Sequence, residues 1–191
     1  MHTVTPSSRT KLTYEDLLLF PDDGKRHELI DGEHFVTPKP NSAHQLIVGN
    51  IHFALRDHLK AHPVGVVMLA PFDIVLSDVD VVEPDLIFFT RECFARVVGE
   101  KNARGAPDLA VEVLSPGTRR TDETLKRRLY ERNRIGEYWV VDPEIEVVKV
   151  YRLAGDAYGR AIELVLERDE VVTSPLLPGL ALRLKNVFAL P

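Results

Sequence analysis

The positions of two acidic residues and one lysine indicate a chemical role rather than a role in packing. Glu83-Pro84-Asp85 follows the strand-like run 79–82, and Glu112 lies inside the otherwise apolar segment 109–114. A carboxylate within a strand core costs free energy unless a cation compensates it. Lys126 follows on a predicted helix and could be that cation. If these side chains converge, they could hold a divalent metal and form the working part of a metal-dependent phosphodiesterase.

The helix that carries Lys126 supports this interpretation. Asp122, Lys126 and Tyr130 follow one another at i, i+4 spacing and therefore share one face, beside the apolar Leu125 and Leu129. Lys126 is expected near the buried edge of the helix, where it could orient or deprotonate a water molecule. Taken alone, a lysine here is typical of a solvated helix surface, and an aspartate after proline is typical of a turn.

Length and composition limit the class of protein. The chain has 191 residues, 45% of them hydrophobic, as expected of one soluble globular domain. Its net charge of -5 gives no general attraction for nucleic acid, so an anionic substrate would need a local basic patch or bound cations. The single cysteine, Cys93, excludes an internal disulfide and suits a reducing cytoplasm. No apolar run reaches membrane-spanning length, so no membrane association is expected.

The hydrophobic pattern predicts a disordered lead over residues 1–12 and a single mixed α/β domain over residues 13–191. The nearly unbroken apolar run 109–114 is typical of a central strand covered on both faces. Asp31-Gly32 predicts a hairpin turn within 27–36. Further strands are predicted over 64–69, 72–76, 79–89, 138–141, 147–153, 161–166, 171–172 and 180–184.

Capping residues predict three helices. Thr13 would cap a short helix that buries residues 17–19. Asn41 or Ser42 would cap a longer helix with apolar residues at helical spacing, and Thr121 would cap the helix that carries the lysine. Together the elements predict a curved, mixed β-sheet with helices packed against it.

Four histidines lie on or near the longer helix, namely His44, His52, His58 and His62. The last two are four residues apart and could bind zinc from one helix face. No third ligand is evident for them, so surface histidines are the favoured interpretation for all four.

A basic cluster follows Glu112 in the sequence, formed by Arg119, Arg120, Arg127 and Arg128. It could be a solvated face that balances the 29 acidic residues. It could equally contact phosphates. If the substrate is DNA, we expect Arg119, Arg120 and Arg127 to meet it, because the rest of the surface is net acidic.

Several motifs occur in a fixed order along the chain. They are Glu28-Leu29-Ile30-Asp31-Gly32-Glu33, Val82-Glu83-Pro84-Asp85-Leu86, the segment 105–116, then Lys126, Tyr130 and the segment 137–143. This series, from about Thr13 to the C-terminus, resembles the Uma-two family of restriction-endonuclease-like proteins in the PD-(D/E)XK nuclease superfamily.

The resemblance implies a restriction-endonuclease-like fold, Mg²⁺ (or Mn²⁺) as cofactor, and hydrolysis of phosphodiester bonds in DNA. By motif position, Asp85 and Glu112 would be catalytic acids that bind the metal, and Glu28 a further catalytic acid. The superfamily lysine, expected two residues after Glu112, is replaced by Leu114. This displacement points to Lys126 as the catalytic lysine. Without the resemblance, Glu28 also fits an ordinary cross-strand charge in the predicted hairpin.

Other functions stay open at this stage. A catalytically inactive module with the same fold could bind nucleic acid or a partner without a strong divalent site. A glycosidase could also use two carboxylates, but Trp139 is the only tryptophan and sugar sites usually need aromatic platforms. A two-fold homodimer would help a single-site domain to cut both DNA strands. The apolar stretch 175–180 is either its interface or internal core.

Overall fold

The strands divide between two main sheets and one small one. The computed structural model describes residues 11–37 and 39–191, so residues 1–10 of the expected disordered lead lie outside the described residues. The mixed α/β architecture with flanking helices is confirmed, although two sheets share the strands predicted for one. Within the described ranges, no helix is both long enough and apolar enough to cross a membrane.

The elements are numbered in chain order. The strands are β1 Arg26–Ile30, β2 Glu33–Thr37, β3 Gly65–Leu69, β4 Asp73–Ser77, β5 Asp80–Val82, β6 Leu86–Thr90, β7 Asn102–Arg104, β8 Leu109–Val113, β9 Glu137–Asp142, β10 Val147–Ala154, β11 Ala157–Tyr158, β12 Ile162–Val165, β13 Val171–Ser174 and β14 Leu177–Arg183. The helices are α1 Tyr14–Leu17, α2 Ser42–Ala61, α3 Arg91–Val97, α4 Arg127–Arg132 and α5 Leu184–Val187. A π-helical segment, Thr121–Lys126, leads directly into α4, and Leu166–Arg168 is a short 3-10 helix.

The two main sheets have mixed topology. The first has the order β2-β1-β5-β4-β7, and the second has the order β11-β10-β9-β8-β6-β3, with β12 paired to β10. Most neighbouring strands are antiparallel, but β4 with β7 and β8 with β9 are parallel. The connection from β8 to β9 contains the π-helical segment and α4. The helix of Lys126 is therefore the crossover between two central strands.

The chain passes from the first sheet to the second at Glu83-Pro84-Asp85. The sequence predicts one strand over 79–89, but this tripeptide divides it into β5 and β6. The proline has no N–H to donate to a ladder, which favours a break at this point. Leu86 pairs with Val111, so continuing the antiparallel register sets the aspartate opposite Glu112. The junction of the sheets thus brings the two predicted acids together.

Both faces of the seven-stranded sheet are covered, as the apolar run of β8 predicts. Leu109, Val111 and Val113 belong to the core layer under α2. Ala110 belongs to the opposite layer, together with residues of α4. Because side chains alternate along a strand, Glu112 points to the α4 side with Ala110. The strand pattern itself therefore directs this carboxylate toward the helix of Lys126.

Residues typical of turns and helix caps account for the hairpin of β1 and β2 and for the start of α1. Asp31 and Gly32 have positive φ angles of 54° and 74° and join β1 to β2, which confirms the predicted hairpin. Thr13 caps α1, as predicted. The predicted buried face of that helix is wrong, because Leu18 and Leu19 are exposed. The buried side chain of α1 is that of Tyr14.

The structure changes one further expectation and decides another. The helix of Lys126 does not begin at Thr121, since Arg119 and Arg120 are already helical. In the stretch 175–180, Leu177 and Leu180 are buried in the core beneath α2, so the internal-core alternative holds for these two side chains.

Substitution of Gly65, at the start of β3, tests how closely β3 packs against β6. A Cβ atom there would lie 2.1 Å from the carbonyl oxygen of Phe89 and 2.6 Å from the ring of Phe88. Gly65→Ala must therefore displace backbone or a buried ring, and should lower the free energy of unfolding by about 2–3 kcal/mol. Gly49→Ala is the control, because a Cβ there meets no described atom within 4 Å. It should raise stability by about 0.5–1 kcal/mol. Urea unfolding compares the two, and equal midpoints would contradict the prediction.

Candidate active site

A cleft of about 200 Å³ opens at the junction of the two sheets. It is lined by the end of β8, the loop after it, the start of α2, β1 and the π-helical segment. Of the predicted site residues, Asp85, Glu112 and Lys126 line the cleft. Glu28 lies directly behind them, in contact with the lysine.

Lys126 is the centre of a buried group of charges, which we call the lysine network. Its Nζ lies 2.8 Å from Glu28 Oε1, 2.9 Å from Glu112 Oε1 and 3.6 Å from Asp122 Oδ1. Tyr130 Oη donates a further hydrogen bond of 2.8 Å to Glu112 Oε1. Lys126 is only 4% exposed, so the predicted buried helix edge is confirmed and the solvated-surface alternative is wrong.

Asp85 is held by three donors from three different elements. Its Oδ1 accepts a hydrogen bond of 2.7 Å from Arg26 Nη1. Its Oδ2 lies 3.0 Å from His44 Nε2 and accepts a bond of 2.9 Å from the backbone N–H of Val113. The alternative of a simple turn aspartate is therefore insufficient, because this carboxylate is buried and joins β1, α2 and β8.

His44 corrects the expectation of four surface histidines. It is buried, and its backbone N–H donates to the Asn41 side chain that caps α2. The cap places His44 in the first turn of the helix, from which its ring reaches Asp85. The signal was present in the sequence, since His44, Ile47 and Ile51 recur at helical spacing and so share the buried face.

Glu28 connects the lysine network to the sheet junction. Its Oε1 accepts a hydrogen bond of 2.8 Å from the backbone N–H of Glu83, and its Oε2 accepts one of 3.3 Å from Thr37 Oγ1. Its partner across the hairpin is Phe35, so Glu28 is not one half of a cross-strand charge pair. One carboxylate therefore fixes both Lys126 and the tripeptide that ends in Asp85.

The protonation states of the lysine network follow from its excess of carboxylates. Burial raises the pKa of Glu112 well above its usual value despite Lys126, and the nearby Asp122 and Asp85 carboxylates add to the rise. Burial likewise raises the pKa of Asp122 to about 6. Burial opposes the charge of Lys126, but Glu112, Glu28 and Asp122 outweigh it and raise the lysine pKa well above its usual value. The amine therefore stays charged, and the carboxyl groups of Glu112 and Asp122 hold a proton more tightly than isolated carboxyl groups do.

Asp85 has the opposite behaviour. Burial opposes its ionisation, but the hydrogen bond and charge of His44, with the charge of Arg26, lower the pKa of Asp85. Asp85 is therefore ionised at neutral pH. Asp85 and Glu112 face each other and are similarly buried, yet they differ in proton affinity. Hydrogen-bond donors surround Asp85, whereas other carboxylates lie near Glu112.

The donor set fits a hard divalent cation. Asp85 and Glu112 line the cleft from facing positions, and carboxylate oxygens are the ligands that Mg²⁺ prefers. In the described part of the chain, no three His, Cys, Asp or Glu side chains are grouped so that they could hold a metal ion. Lys126 and Arg26 lie against the carboxylates instead. The chemistry of the donors, rather than a formed coordination shell, supports a cation here.

The predicted DNA-facing arginines are not a single free surface. Arg119 makes a two-pronged ion pair with the buried Asp142. Arg127 packs over the ring of Tyr151, with its guanidinium carbon 5.8 Å from the ring centroid. Arg120 is exposed and has no ion pair within the described residues. None of these three arginines lines the cleft; the basic side chains that do, besides the lysine, are Arg26 and Lys39.

Sequence reasoning did not name three side chains of this site as functional, namely Arg26, His44 and Asp122. Arg26 and Glu28 are two positions apart on β1 and so share a face, which was a usable signal. The π-helical segment that carries Asp122 has no recognisable signal in the residue pattern.

Comparisons with known proteins agree with the resemblance seen in the motifs. A solved structure described as "a putative nuclease belonging to DUF820", from Anabaena variabilis, matches with a TM-score of 0.78 and 22% identity, covering 93% of this chain and 97% of that chain. At this identity the likeness concerns the fold. No curated protein matches the chain. The family model Uma2, described as "Putative restriction endonuclease", matches residues 13–185. With nearly its whole length matched, this chain belongs to the Uma2 family.

Proposed function

We propose that this protein is a magnesium-dependent nuclease that hydrolyses phosphodiester bonds in DNA. The observation that carries the proposal is the buried contact between Lys126 and Glu112, beside Asp85, in an open cleft. A buried ion network of this kind is poor for stability compared with apolar packing. Carboxyl groups with strongly shifted pKa values cluster at functional sites. Membership of the Uma2 family supports the same reaction class.

Asp85 and Glu112 would hold the cation. When bound, Mg²⁺ would polarise the scissile phosphate and lower the pKa of a coordinated water molecule. Asp85 suits this role because it is ionised and because Arg26, His44 and Val113 fix its orientation before any ligand arrives. A preset ligand saves the entropy of ordering the side chain on binding.

Lys126 would act as a fixed cation and hydrogen-bond donor. Its pKa is raised by the surrounding carboxylates, so at neutral pH the amine does not serve as the base that deprotonates water. It can orient the attacking water and neutralise charge that grows on the phosphate. Glu28, at 2.8 Å, would hold the amine in place when Glu112 turns toward a cation. Glu28 is thus proposed as a positioning residue for the lysine.

DNA would approach the cleft over basic side chains at its rim. Arg119 is largely neutralised by Asp142 and Glu144, so its contribution to phosphate binding is small. Arg120 and Arg127 remain candidate phosphate contacts outside the cleft, and Lys39 is an exposed one that lines it. Phosphate contacts of this kind would make binding weaken steeply with salt. A homodimer that cuts both strands remains part of this proposal.

Asp85→Asn tests the metal site. The substitution keeps the size of the side chain but removes the charge, so Mn²⁺ affinity measured by titration calorimetry should fall at least tenfold. Asp80→Asn is the matched control, since Asp80 is 5% exposed against 4% for Asp85 but does not line the cleft. It should bind Mn²⁺ like the wild type. A wild-type protein with no divalent site would favour the catalytically inactive module instead.

Lys126→Met tests the role of the lysine. Cleavage of supercoiled plasmid should fall about 100- to 1000-fold, the scale for losing one preorganised charge. Because the variant leaves buried carboxylates without their cation, its stability should also fall, by about 3 kcal/mol. Rates are therefore compared at a temperature where circular dichroism shows folded protein. Lys60→Met, on the exposed side of α2, should change neither quantity. Wild-type cleavage by folded Lys126→Met would exclude the lysine from the reaction.

Asp122→Asn tests the charge excess through pH. The folded-state pKa of Asp122 is raised to about 6 from 3.8, so its ionisation opposes folding. This penalty is absent below about pH 4 and complete above about pH 7. Relative to the variant, the metal-free wild type should therefore lose about 3 kcal/mol of stability over that window. Urea unfolding in EDTA at several pH values measures the difference. Glu123→Gln is the control, and parallel curves for wild type and Asp122→Asn would refute the charge-excess argument.

A further inference from the structure

A second cavity, of about 230 Å³, lies beside the cleft, between α2 and the end of β3. Four residues line both cavities, namely Arg26, Pro40, His44 and Asp85. We propose that this second cavity, which we call the side pocket, receives one unpaired nucleobase of the DNA substrate. The inference rests on the proposed function and deepens it, because it states the form in which the DNA is bound.

The side pocket has the size and surface of a site for one flat ring system. Pockets for drug-sized ligands have volumes of roughly 300–1,000 Å³, so this cavity suits a smaller group. Val48, Leu69 and Ala70 make part of its wall apolar. Asp85 is the one acid among the described residues that line it, and Arg26 pairs with that acid. Such a lining favours the face of a base over a phosphate group.

Two planar side chains belong to the wall that the side pocket shares with the cleft. Asp85 Oδ1 accepts a hydrogen bond of 2.7 Å from Arg26 Nη1, and Asp85 Oδ2 lies 3.0 Å from His44 Nε2. Unpaired bases stack on histidine rings and on arginine guanidinium planes in complexes with nucleic acids. Because Asp85 already fixes both groups, a base that stacks on either one has little side-chain entropy to offset.

Gln45 provides a group that can bond to the edge of the base. It lies near the start of α2, is exposed, and lines the side pocket but not the cleft. Its side-chain amide makes no hydrogen bond to the described part of the chain. An amide both donates and accepts, as the hydrogen-bonding edge of a base does. Gln45 is therefore the side chain that we assign to contact this edge.

Gly49 keeps the side pocket open. A glycine in the interior of a helix lowers stability relative to alanine. Close packing does not require a glycine here, since a Cβ at Gly49 would meet no described atom within 4 Å. Gly49 lines the side pocket and not the cleft, so the space that it leaves belongs to this cavity alone.

A base inside a DNA duplex cannot occupy the side pocket. Its neighbours cover both of its faces, and its partner occupies its hydrogen-bonding edge. The base must therefore come from a single strand or be turned out of the helix. Because the side pocket and the cleft share a wall, a base bound in one places the phosphate next to it at the other.

Fluorescence anisotropy with two short labelled single strands tests the inference. One strand carries thymine on every nucleotide, and the other has abasic tetrahydrofuran sites in the same backbone. Both carry the same phosphates, so the ratio of their affinities measures base binding. Measured in EDTA, the wild type should bind the thymine strand about fivefold or more tightly than the abasic strand.

Gly49→Leu places a side chain in the side pocket and should reduce this preference to about twofold or less, with unchanged affinity for the abasic strand. Ala61→Leu is the matched control, because Ala61 is exposed at the end of the same helix and lines neither cavity. It should keep the wild-type preference. Gln45→Ala, which removes a group instead of adding one, should weaken binding of the thymine strand alone.

The outcomes separate the side pocket from the nuclease activity. A preference that survives in Gly49→Leu would overturn the side pocket, as would equal binding of the two strands by the wild type. An equal loss for both strands in Gly49→Leu would also overturn it, because the variant would then act on phosphate contacts. Plasmid cleavage tests the nuclease activity separately. A protein that cleaves without a base preference loses only the side pocket. A base preference without cleavage supports the side pocket and overturns the nuclease.

Discussion

The placement of the Lys126 ammonium among buried carboxylates is the constraint on which the rest of the structure depends. Three segments meet at this one nitrogen: β1 through Glu28, β8 through Glu112 and the π-helical segment through Asp122. Removing such charges from water is unfavourable unless their geometry is close and their remaining atoms are bonded. The two main sheets and the crossover helix must therefore keep their relative positions, since separating any one of them would leave a buried charge without its partner.

The junction of the two sheets brings together two acids, Asp85 and Glu112, that have different surroundings. At Glu83-Pro84-Asp85 the chain leaves the first sheet, and Asp85 enters a ring of donors from Arg26, His44 and Val113. Glu112, directly across the register, faces the lysine network instead. Similar burial therefore lowers the pKa of one acid and raises that of the other. In the proposed function, a divalent cation bound by both acids would favour the ionised form of Glu112, so that cation binding and proton release would be coupled.

Local signals in the sequence predict local parts of this arrangement. The apolar run of β8 predicts a central strand, Asp31-Gly32 predicts the hairpin, and the i, i+4 spacing predicts that Lys126 and Asp122 share a face. The features that the sequence does not predict depend on residues that lie far away along the chain. One predicted strand, 79–89, is divided because its halves pair with different sheets, and pairing is a property of the whole fold. Arg119, which the sequence predicts as a DNA contact, is paired with Asp142, a strand-end residue 23 positions away. A surface position is expected for His44 because no third ligand is evident for the helix histidines, but its ring reaches a carboxylate 41 positions along the chain.

The proposed function requires one cleft to accommodate both a lysine and a divalent cation, and the lysine network bears on how it would do so. If Glu112 were the only partner of Lys126, a metal drawing on Glu112 would leave the ammonium buried and unpaired. Glu28 prevents this, because it bonds the same Nζ and is itself fixed by the backbone N–H of Glu83. Glu28 is not a cleft-lining side chain, so it can keep the lysine while Glu112 faces the cleft. In the proposed function, this division of roles between the two glutamates would allow the positive charges of lysine and metal to act on the same phosphate while each is held by different side chains.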